Sequence, residues 1–222
     1  MTNLAIFDLD RTLITCDSDV AWAAYLAEKG IFTAEDSQKR DQFYDDYDNG
    51  CLDIDAFLRF QLAPLRQFSR DELNRMHAEF MDKYIVQHIT ETAKNMVKNH
   101  IDNSDEVVLV SATNEFVITP IAARFGIHNV VGVKLVTDKN NNYTGEYTGT
   151  PSFKEGKIVR LNEWLNLRGK TMADYARTYF YSDSHNDLPL LRLVDCPVAV
   201  NPDAVLRETA ENKGWKIISF ME

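Results

Sequence analysis

The sequence has few cysteines and no long apolar run, and each shortage excludes a class of protein. Only three cysteines occur among the 222 residues, and none belongs to a Cys-x-x-Cys pair, so neither a disulfide framework nor a zinc site is expected. No segment approaches the roughly 18 consecutive apolar residues of a membrane span, and no signal-like stretch opens the chain. The sequence therefore predicts a soluble cytoplasmic protein, because a reducing compartment suits this cysteine usage.

Basic residues are scarce relative to acidic ones. Lys and Arg total 24 against 34 Asp and Glu, which gives a formal net charge of -10. A nucleic-acid binder or a protein held on an anionic membrane needs a basic face, so the composition argues against both partners. One local cationic pocket for an anionic small molecule stays compatible with this charge. The sequence carries no indication of the oligomeric state.

Short apolar runs recur along the chain and are continuous rather than alternating. They cover residues 4–7, 107–110, 179–181, 198–200 and 217–220. Such runs are typical of strands that are buried on both faces of a parallel sheet. Helical patterns separate the later runs, so we predict an α/β protein with a doubly wound parallel sheet.

Residues 15–95 differ from the rest because they contain helical patterns, such as 20–29, and many aromatic residues, but no convincing strand. We therefore predict a small all-helical cap at 15–95, inserted after the first strand. The catalytic core would consist of residues 1–14 and 96–222. Within that core, the Asn-rich segment 133–149 predicts a β-hairpin.

Two carboxylates, Asp8 and Asp10, follow the first apolar run directly. If the chain stays extended, they project to the same side, at the strand end where open α/β sheets bind ligands. Two like charges so close need a cation or a shared proton, and Mg²⁺ prefers carboxylate oxygens. A solvated turn or a helix cap would explain this pair of acids equally well.

A second acidic segment follows the run at 179–181 and contains Asp183 and Asp187. A helix is expected to begin near Pro189, and Asp187 could simply cap that helix. Capping alone does not explain why this segment carries several acids at the same predicted sheet edge as Asp8.

Two weaker signals come from single segments. Ser111 and Ala112 end the run at 107–110, where a hydroxyl and backbone N–H groups before a helix could hold a phosphate, although such residues also cap helices. Lys157, with Lys154 nearby, begins a predicted helix, where a lysine is more often a solvated surface charge.

Together and in this order, these segments resemble the haloacid dehalogenase superfamily of phosphohydrolases. The four motifs of that superfamily are matched in turn by Asp8-x-Asp10-x-Thr12, Ser111, Lys157 and Asp183-x-x-x-Asp187. The last motif is similar to the branch that contains phosphoserine phosphatases and histidinol-phosphate phosphatases, which carries its cap where residues 15–95 lie. The resemblance covers nearly the whole chain, and Arg11 departs from the small residue that is common at its position.

The resemblance implies a Mg²⁺-dependent phosphomonoester hydrolase with an aspartyl-phosphate intermediate. Asp8 would be the nucleophile, and Asp10 would act first as general acid and then as general base. Mg²⁺ would be held by the Asp8 side chain, the Asp10 backbone carbonyl and Asp183.

The resemblance also implies which groups bind the phosphate. Ser111 and the backbone N–H of Ala112 would bind phosphate oxygens, and Lys157 would steady both the phosphate and the nucleophile. Lys157 is preferred to Lys154 because its spacing to the following helix matches the family better. Three further residues would position these groups: Thr12, Asn186 and Asp187.

Substrate choice would depend on the cap. Asp17 lies where phosphoserine phosphatases carry an acid for the substrate amine, whereas Gln61, with Arg59 two residues earlier, lies where they carry an arginine for the substrate carboxylate. This pattern favours an amino-alcohol phosphate without a carboxylate, such as histidinol phosphate. Trp22 and Phe60 could hold a flat ring, although most aromatic residues of a cap form its core.

Other functions stay open at this point. The chain could be a phosphoserine phosphatase, a broad-specificity phosphatase or a phosphomutase on the same scaffold. A phosphate-binding regulator without catalysis is disfavoured, because a binding protein gains nothing from a nucleophile and an acid–base group. In each case the expected partner is a small-molecule phosphate ester.

Overall fold

The computed structural model describes residues 2–219, and its strands form one sheet. The strands are β1 Leu4–Phe7, β2 Glu106–Asn114, β3 Val130–Thr137, β4 Tyr143–Thr148, β5 Thr178–Ser182, β6 Cys196–Val200 and β7 Lys216–Ile218. Their order is β4-β3-β2-β1-β5-β6-β7, and every neighbouring pair is parallel except β3 with β4. The predicted α/β class with a doubly wound, mainly parallel sheet is confirmed.

The continuous apolar runs become strands because both faces of the sheet are covered. All four residues of β1 are fully buried. Ala5 and Phe7 belong to one apolar cluster, and Leu4 and Ile6 belong to a second cluster on the other face. An alternating polar pattern would leave one of these layers without apolar surface. The run predicted at 217–220 is β7 in its first part, while Phe220 lies outside the described residues.

Helices occupy most of the chain between β1 and β2. They are α1 Ser18–Glu28, α2 Ala34–Asp48, α3 Ile54–Leu62, α4 Arg70–Phe80 and α5 Glu91–Asp102. Short 3₁₀ and π turns connect some of them. Since α5 runs across position 95, the division into a cap at 15–95 and a core stays a prediction.

The remaining helices follow strands of the sheet. They are α6 Glu115–Ala123, α7 Glu155–Asn166, α8 Leu188–Leu191 and α9 Ala204–Lys213. The antiparallel β3–β4 pair is the hairpin expected within 133–149, and it packs against α3. This packing joins the helical segment after β1 to one edge of the sheet.

Candidate active site

Three neighbouring strands bring distant segments of the chain to one edge of the sheet. β1 lies between β2 and β5 and pairs with both in parallel, so the carboxyl ends of all three strands point the same way. Asp8, Ser111 and Asp183 lie at these ends and line one cavity of about 410 Å³. The α1–α3 segment supplies the opposite wall of this cavity, including Asp17, Tyr44 and Phe57.

Lys157 compensates two buried carboxylates. Its Nζ donates to Asp8 Oδ1 at 2.8 Å and to Asp187 Oδ2 at 2.6 Å, and the side chain is almost fully buried. The tight turn before α7 places it there, because a Cβ on Gly156 would lie 1.9 Å from the Pro151 carbonyl oxygen. Only glycine allows that approach of the two backbone segments.

Burial and mutual attraction shift the pKa values of Asp8 and Lys157. Burial raises the pKa of Asp8 to about 6, against the opposing effect of the Lys157 ammonium group. Although burial disfavours the Lys157 cation, the nearby Asp187 and Asp8 carboxylates raise the pKa of Lys157 well above its ordinary value. Asp8 is therefore mainly ionised at neutral pH and needs no further base in order to act as a nucleophile.

Asp10 faces a different set of partners from Asp8. Its Oδ1 accepts from the Ser18 backbone N–H at 2.6 Å, and its Oδ2 accepts from the Thr113 hydroxyl at 3.1 Å. Burial is the largest cause that raises the pKa of Asp10 well above its ordinary value, followed by the charges of Asp17 and Asp8. A raised pKa favours the protonated carboxyl group, and a protonated carboxyl group suits a general acid.

Ser111 is held at the end of β2 beside Asp10. Its side chain is buried, its Oγ accepts from the Thr113 backbone N–H at 3.1 Å, and it donates to Asp10 Oδ2 at 3.5 Å. The adjacent Ala112 also lines the cavity. The two residues predicted to hold phosphate therefore lie beside the predicted general acid.

Asp8 and Asp183 share one hydroxyl donor. Thr12 Oγ1 lies 3.2 Å from Asp8 Oδ2 and 3.3 Å from Asp183 Oδ1. Burial and then the charges of Asp8 and Asp187 raise the pKa of Asp183 well above its ordinary value. The negative charges of Asp8 and Asp183 repel each other. A divalent cation bound by these carboxylates would offset this repulsion.

The oxygen ligands available at Asp8, Asp10 and Asp183 are of the kind that Mg²⁺ prefers. No group of three or more His, Cys, Asp or Glu side chains within residues 2–219 forms a complete metal site. Mg²⁺ commonly takes only one or two carboxylates and completes its shell with waters and phosphate oxygens. Asp8 and Asp183 therefore fit this ion, with the Asp10 carbonyl as the third protein ligand that the resemblance implies.

Asp187 does not cap the helix that follows it. Although it precedes α8, its side chain makes no capping hydrogen bond and instead accepts from Lys157 and from Ser182 Oγ, both at 2.6 Å. The neighbouring Asn186 is buried and donates from Nδ2 to the Tyr47 carbonyl oxygen at 3.5 Å. One of these residues thus holds the lysine, whereas the other reaches across to α2.

The structure separates the two candidate lysines. Lys154 Nζ donates to the carbonyl oxygen of Gly50 at 2.7 Å, in the segment between α2 and α3. Lys157 lies against Asp8. Of the two, only Lys157 contacts the predicted nucleophile.

The predicted specificity residues lie in different places. Asp17 lines the cavity, 3.8 Å from an Arg11 nitrogen, and caps α1 through hydrogen bonds from backbone N–H groups. Gln61 is buried, and its Nε2 donates to the Asp19 carbonyl oxygen at 3.2 Å and to Asp19 Oδ1 at 3.1 Å. Arg59 is exposed, and neither Arg59 nor Gln61 lines the cavity, which corrects the expected place of both in the substrate site.

The aromatic residues that line the cavity are not the two that were expected to hold a substrate ring. Trp22 is buried among Tyr25, Phe80 and other rings, and Phe60 stacks on Phe32 at 5.2 Å between ring centroids. Neither Trp22 nor Phe60 lines the cavity. The aromatic side chains that do line it are Phe43, Tyr44, Tyr47, Phe57 and Phe153.

Sequence reasoning missed several residues of the site. Thr113 could have been found from its spacing, because Ser111 and Thr113 alternate on β2 and so share a face. Asp19 carries a weaker signal as a second acid two positions after Asp17. Tyr44 has none, because its place in the cavity depends on how α2 packs.

Comparison with known proteins agrees with this geometry. A family model described as haloacid dehalogenase-like hydrolase matches residues 5–192. The chain is 56% identical over 221 residues to a histidinol-phosphatase of Neisseria meningitidis serogroup C (strain 8013), covering 99% of this chain and 100% of that one.

Solved structures show the same fold. A protein of unknown function from Bordetella pertussis Tohama I matches with a TM-score of 0.94 and 41% identity over 100% of both chains. A substrate-bound phosphoserine phosphatase matches with a TM-score of 0.69 and 18% identity, over 98% of this chain and 93% of that one. In the part of the chain that the structure describes, no helix has the length and apolar character needed to cross a bilayer.

Proposed function

This chain belongs to the haloacid dehalogenase-like hydrolase family and is a phosphoric monoester hydrolase, and we propose that its substrate is histidinol phosphate. The observation that carries the choice of substrate is the environment of Gln61. It occupies the position at which the resemblance places a carboxylate-binding arginine, and its amide N–H groups are directed at Asp19. A substrate carboxylate directed at this side of the cavity would meet Asp17 and Asp19, and the Arg11 guanidinium that also lines the cavity already lies beside Asp17.

The cavity wall opposite the nucleophile suits a substrate with a cationic or N–H-rich end. Asp17 and Asp19 both line it, together with aromatic side chains. Carboxylates bind an amine by charge and hydrogen bonding, and aromatic walls bury a flat ring. The high identity to a histidinol-phosphatase supports the same substrate.

In the proposed reaction the Asp8 carboxylate attacks phosphorus and displaces the substrate alkoxide, which forms an aspartyl-phosphate. Asp10 gives its proton to the leaving oxygen, and its raised pKa supports this role. Asp10 then takes a proton from the water that hydrolyses the aspartyl-phosphate, so inorganic phosphate leaves and both carboxyl groups return to their starting state.

The remaining side chains orient the phosphate and the nucleophile. Ser111 and the Ala112 backbone N–H would bind phosphate oxygens, and Lys157 would stabilise negative charge as it develops on them. Thr12 and Asp187 hold the reacting groups through the contacts already described. Asn186, buried and bonded to the α2 segment, would keep that segment over the site.

Members of this family generally use Mg²⁺, and we propose that Asp8, Asp183 and the Asp10 carbonyl hold it here. The ion would supply positive charge that reduces the repulsion between the site carboxylates and a phosphate dianion. We further propose that residues 15–95 act as the cap and that the protein is cytoplasmic, which its three free cysteines support.

Parallel kinetics on three esters test the proposal. We expect kcat/KM for histidinol phosphate to exceed that for phosphoserine and for p-nitrophenyl phosphate by about 100-fold or more, because buried recognition groups discriminate on this scale. A clear preference for phosphoserine, or equal rates on all three esters, would overturn the choice of substrate. Transfer of the phosphate without release would identify a mutase.

A further inference from the structure

Asp19 is a buried carboxylate that forms no salt bridge with any residue the structure describes. It lies in the first turn of α1, is 6% exposed, and lines the same cavity as Asp8. Among residues 2–219, the Gln61 amide is the only side chain that hydrogen-bonds to its carboxylate. Burial and then the charge of Asp17 raise the pKa of Asp19 to about 7. Proteins rarely bury a carboxylate with so little compensation unless a ligand supplies the missing donor.

Three residues near Asp19 in the chain or in the fold carry a buried polar atom without a hydrogen-bond partner among the described residues. Ser18 Oγ, Tyr44 Oη and Gln61 Oε1 are each buried and make no hydrogen bond to any described residue. Ser18 precedes Asp19 in the chain, and Gln61 is bonded to it. Native structures contain few such atoms, and of these three residues only Tyr44 lines the cavity, so its hydroxyl is the unpartnered group that a ligand in the cavity would satisfy.

The Tyr44 hydroxyl faces the same acidic region. Burial raises the pKa of Tyr44 far above its ordinary value, and the next largest causes are the negative charges of Asp17 and Asp19. The Tyr44 ring lies 6.1 Å from that of Phe57, and both rings line the cavity. An aromatic surface therefore lies next to a carboxylate and a hydroxyl that have unused hydrogen-bonding capacity.

The orientation of the Gln61 amide shows which hydrogen-bonding groups near Asp19 still lack a partner. Its Nε2 faces two acceptors, the Asp19 carbonyl and carboxylate, so the amide oxygen is the atom left over. In the cavity lining, the free capacity thus consists of acceptor sites on the Asp19 carboxylate and of the Tyr44 hydroxyl, which can also donate. A ligand with N–H groups on a flat ring fits these acceptors and the aromatic wall, whereas a carboxylate would meet further acceptors.

We propose that Asp19 and Tyr44 form a subsite that recognises an N–H-bearing heteroaromatic ring of the substrate, an imidazole, with Asp19 accepting the ring N–H and Gln61 holding the Asp19 carboxylate from outside the cavity lining. This rests on the proposed function, in which Asp17 meets the substrate amine. Within the subsite, Tyr44 bonds the second ring nitrogen, and Phe57 with the Tyr44 ring covers the faces of the imidazole. Asp19 and Tyr44 are then specificity residues that act through ring binding and not through chemistry at phosphorus.

Product inhibition provides a test that does not require turnover of histidinol phosphate. L-histidinol carries the amine and the imidazole, and ethanolamine carries the amine alone. We expect L-histidinol to inhibit p-nitrophenyl phosphate hydrolysis competitively and far more strongly than ethanolamine. In Asp19→Asn its inhibition constant should rise by about 10- to 100-fold, the range of a buried hydrogen bond to a charged group.

Turnover of two esters tests the same subsite independently. With histidinol phosphate, Asp19→Asn should raise KM by a similar factor with little change in kcat, and Tyr44→Phe should raise KM by about fivefold to tenfold. With aminoethyl phosphate, which has the amine but no ring, the rise in KM should be smaller by about fivefold or more for each variant, because only the ring contacts are missing from this ester. Asp45→Asn, an exposed acid next to Tyr44, is the matched control, and thermal melting shows whether each variant is folded.

The results distinguish failure of the ring subsite from failure of the proposed substrate. An unchanged inhibition constant for L-histidinol in folded Asp19→Asn would overturn the proposal, and so would an equal loss on both esters. If L-histidinol inhibition depends on Asp19 but the wild type hydrolyses histidinol phosphate no better than other esters, the ring subsite is supported and the proposed physiological substrate is wrong.

Discussion

The ammonium group of Lys157 lies 2.8 Å from Oδ1 of Asp8, although 149 positions separate the two residues in the chain. Both side chains are almost fully buried, so neither charge is screened by water. The same ammonium group also binds Asp187, and one cation therefore offsets two carboxylates. We therefore expect the lysine to be important for stability and, in the proposed reaction, for catalysis.

Removing the Lys157 cation should lower both the catalytic activity and the stability of the protein. In Lys157→Met we expect kcat to fall by about 10³-fold and the free energy of unfolding to fall by about 3–5 kcal/mol, because two carboxylates are left buried without a counter-charge. Lys154→Met is the matched control and should change the unfolding free energy by less than about 1 kcal/mol. Phosphate-release assays and urea unfolding measure the two effects, and equal losses in both variants would contradict the assignment.

Asp8→Asn should abolish turnover while leaving the fold intact. An amide is not a nucleophile toward phosphorus, so kcat should fall by about 10⁴-fold or more. Lys157 keeps Asp187 as a partner in this variant, which limits the structural damage. Asp102→Asn, an exposed acid near the end of α5, should behave as the wild type. Retained turnover, or failure to trap a phosphoenzyme in the wild type by acid quenching, would argue against Asp8 as the nucleophile.

Chelation should stop the reaction, and added Mg²⁺ should restore it. In Asp183→Asn the Mg²⁺ concentration for half-maximal rate should rise by about tenfold or more, because an amide oxygen is a weaker ligand than a carboxylate. The shift of the melting temperature with Mg²⁺ should weaken in parallel, which separates binding from catalysis. Identical Mg²⁺ midpoints for the variant and the wild type would show that Asp183 is not a ligand.

The pKa of Asp19 predicts how stability changes with pH. Its folded-state pKa of about 7 is above the ordinary value of 3.8, so the folded protein binds more protons than the unfolded chain between about pH 4 and pH 7. Stability due to this group is therefore greatest below about pH 4 and decreases as the pH rises through 7. The full effect is of the order of 4 kcal/mol.

The Asp19→Asn variant lacks this titratable carboxyl group. Its free energy of unfolding should therefore decrease less between pH 5 and pH 8 than that of the wild type. Urea unfolding at both pH values measures the difference, and Asp45→Asn should follow the wild type. The same decrease in both variants would mean that the Asp19 carboxyl titrates near its ordinary pKa.

The local patterns that predicted the fold reflect constraints on short segments. A strand buried on both faces must be continuously apolar, as β1 is, and a chain that leaves a strand at the active edge tends to place its polar residues immediately afterwards, as at Asp8. The spacing of apolar residues likewise indicated helices before β2. These features could be predicted because each depends on residues only a few positions apart.

The partners of individual side chains depended on packing between segments that are distant in the chain. Asp187 was compatible with a helix cap until α7 placed Lys157 against it, and Lys154 was excluded only because it contacts Gly50. Trp22 and Tyr44 are both aromatic residues of helices, and no periodicity distinguishes the core ring from the one that lines the cavity. The sequence by itself determined the strands and the order of the acidic segments, because hydrophobic periodicity is a local property. Tertiary structure decided which charges meet and which rings line the cavity, because a side chain's neighbours depend on how whole helices and strands pack together.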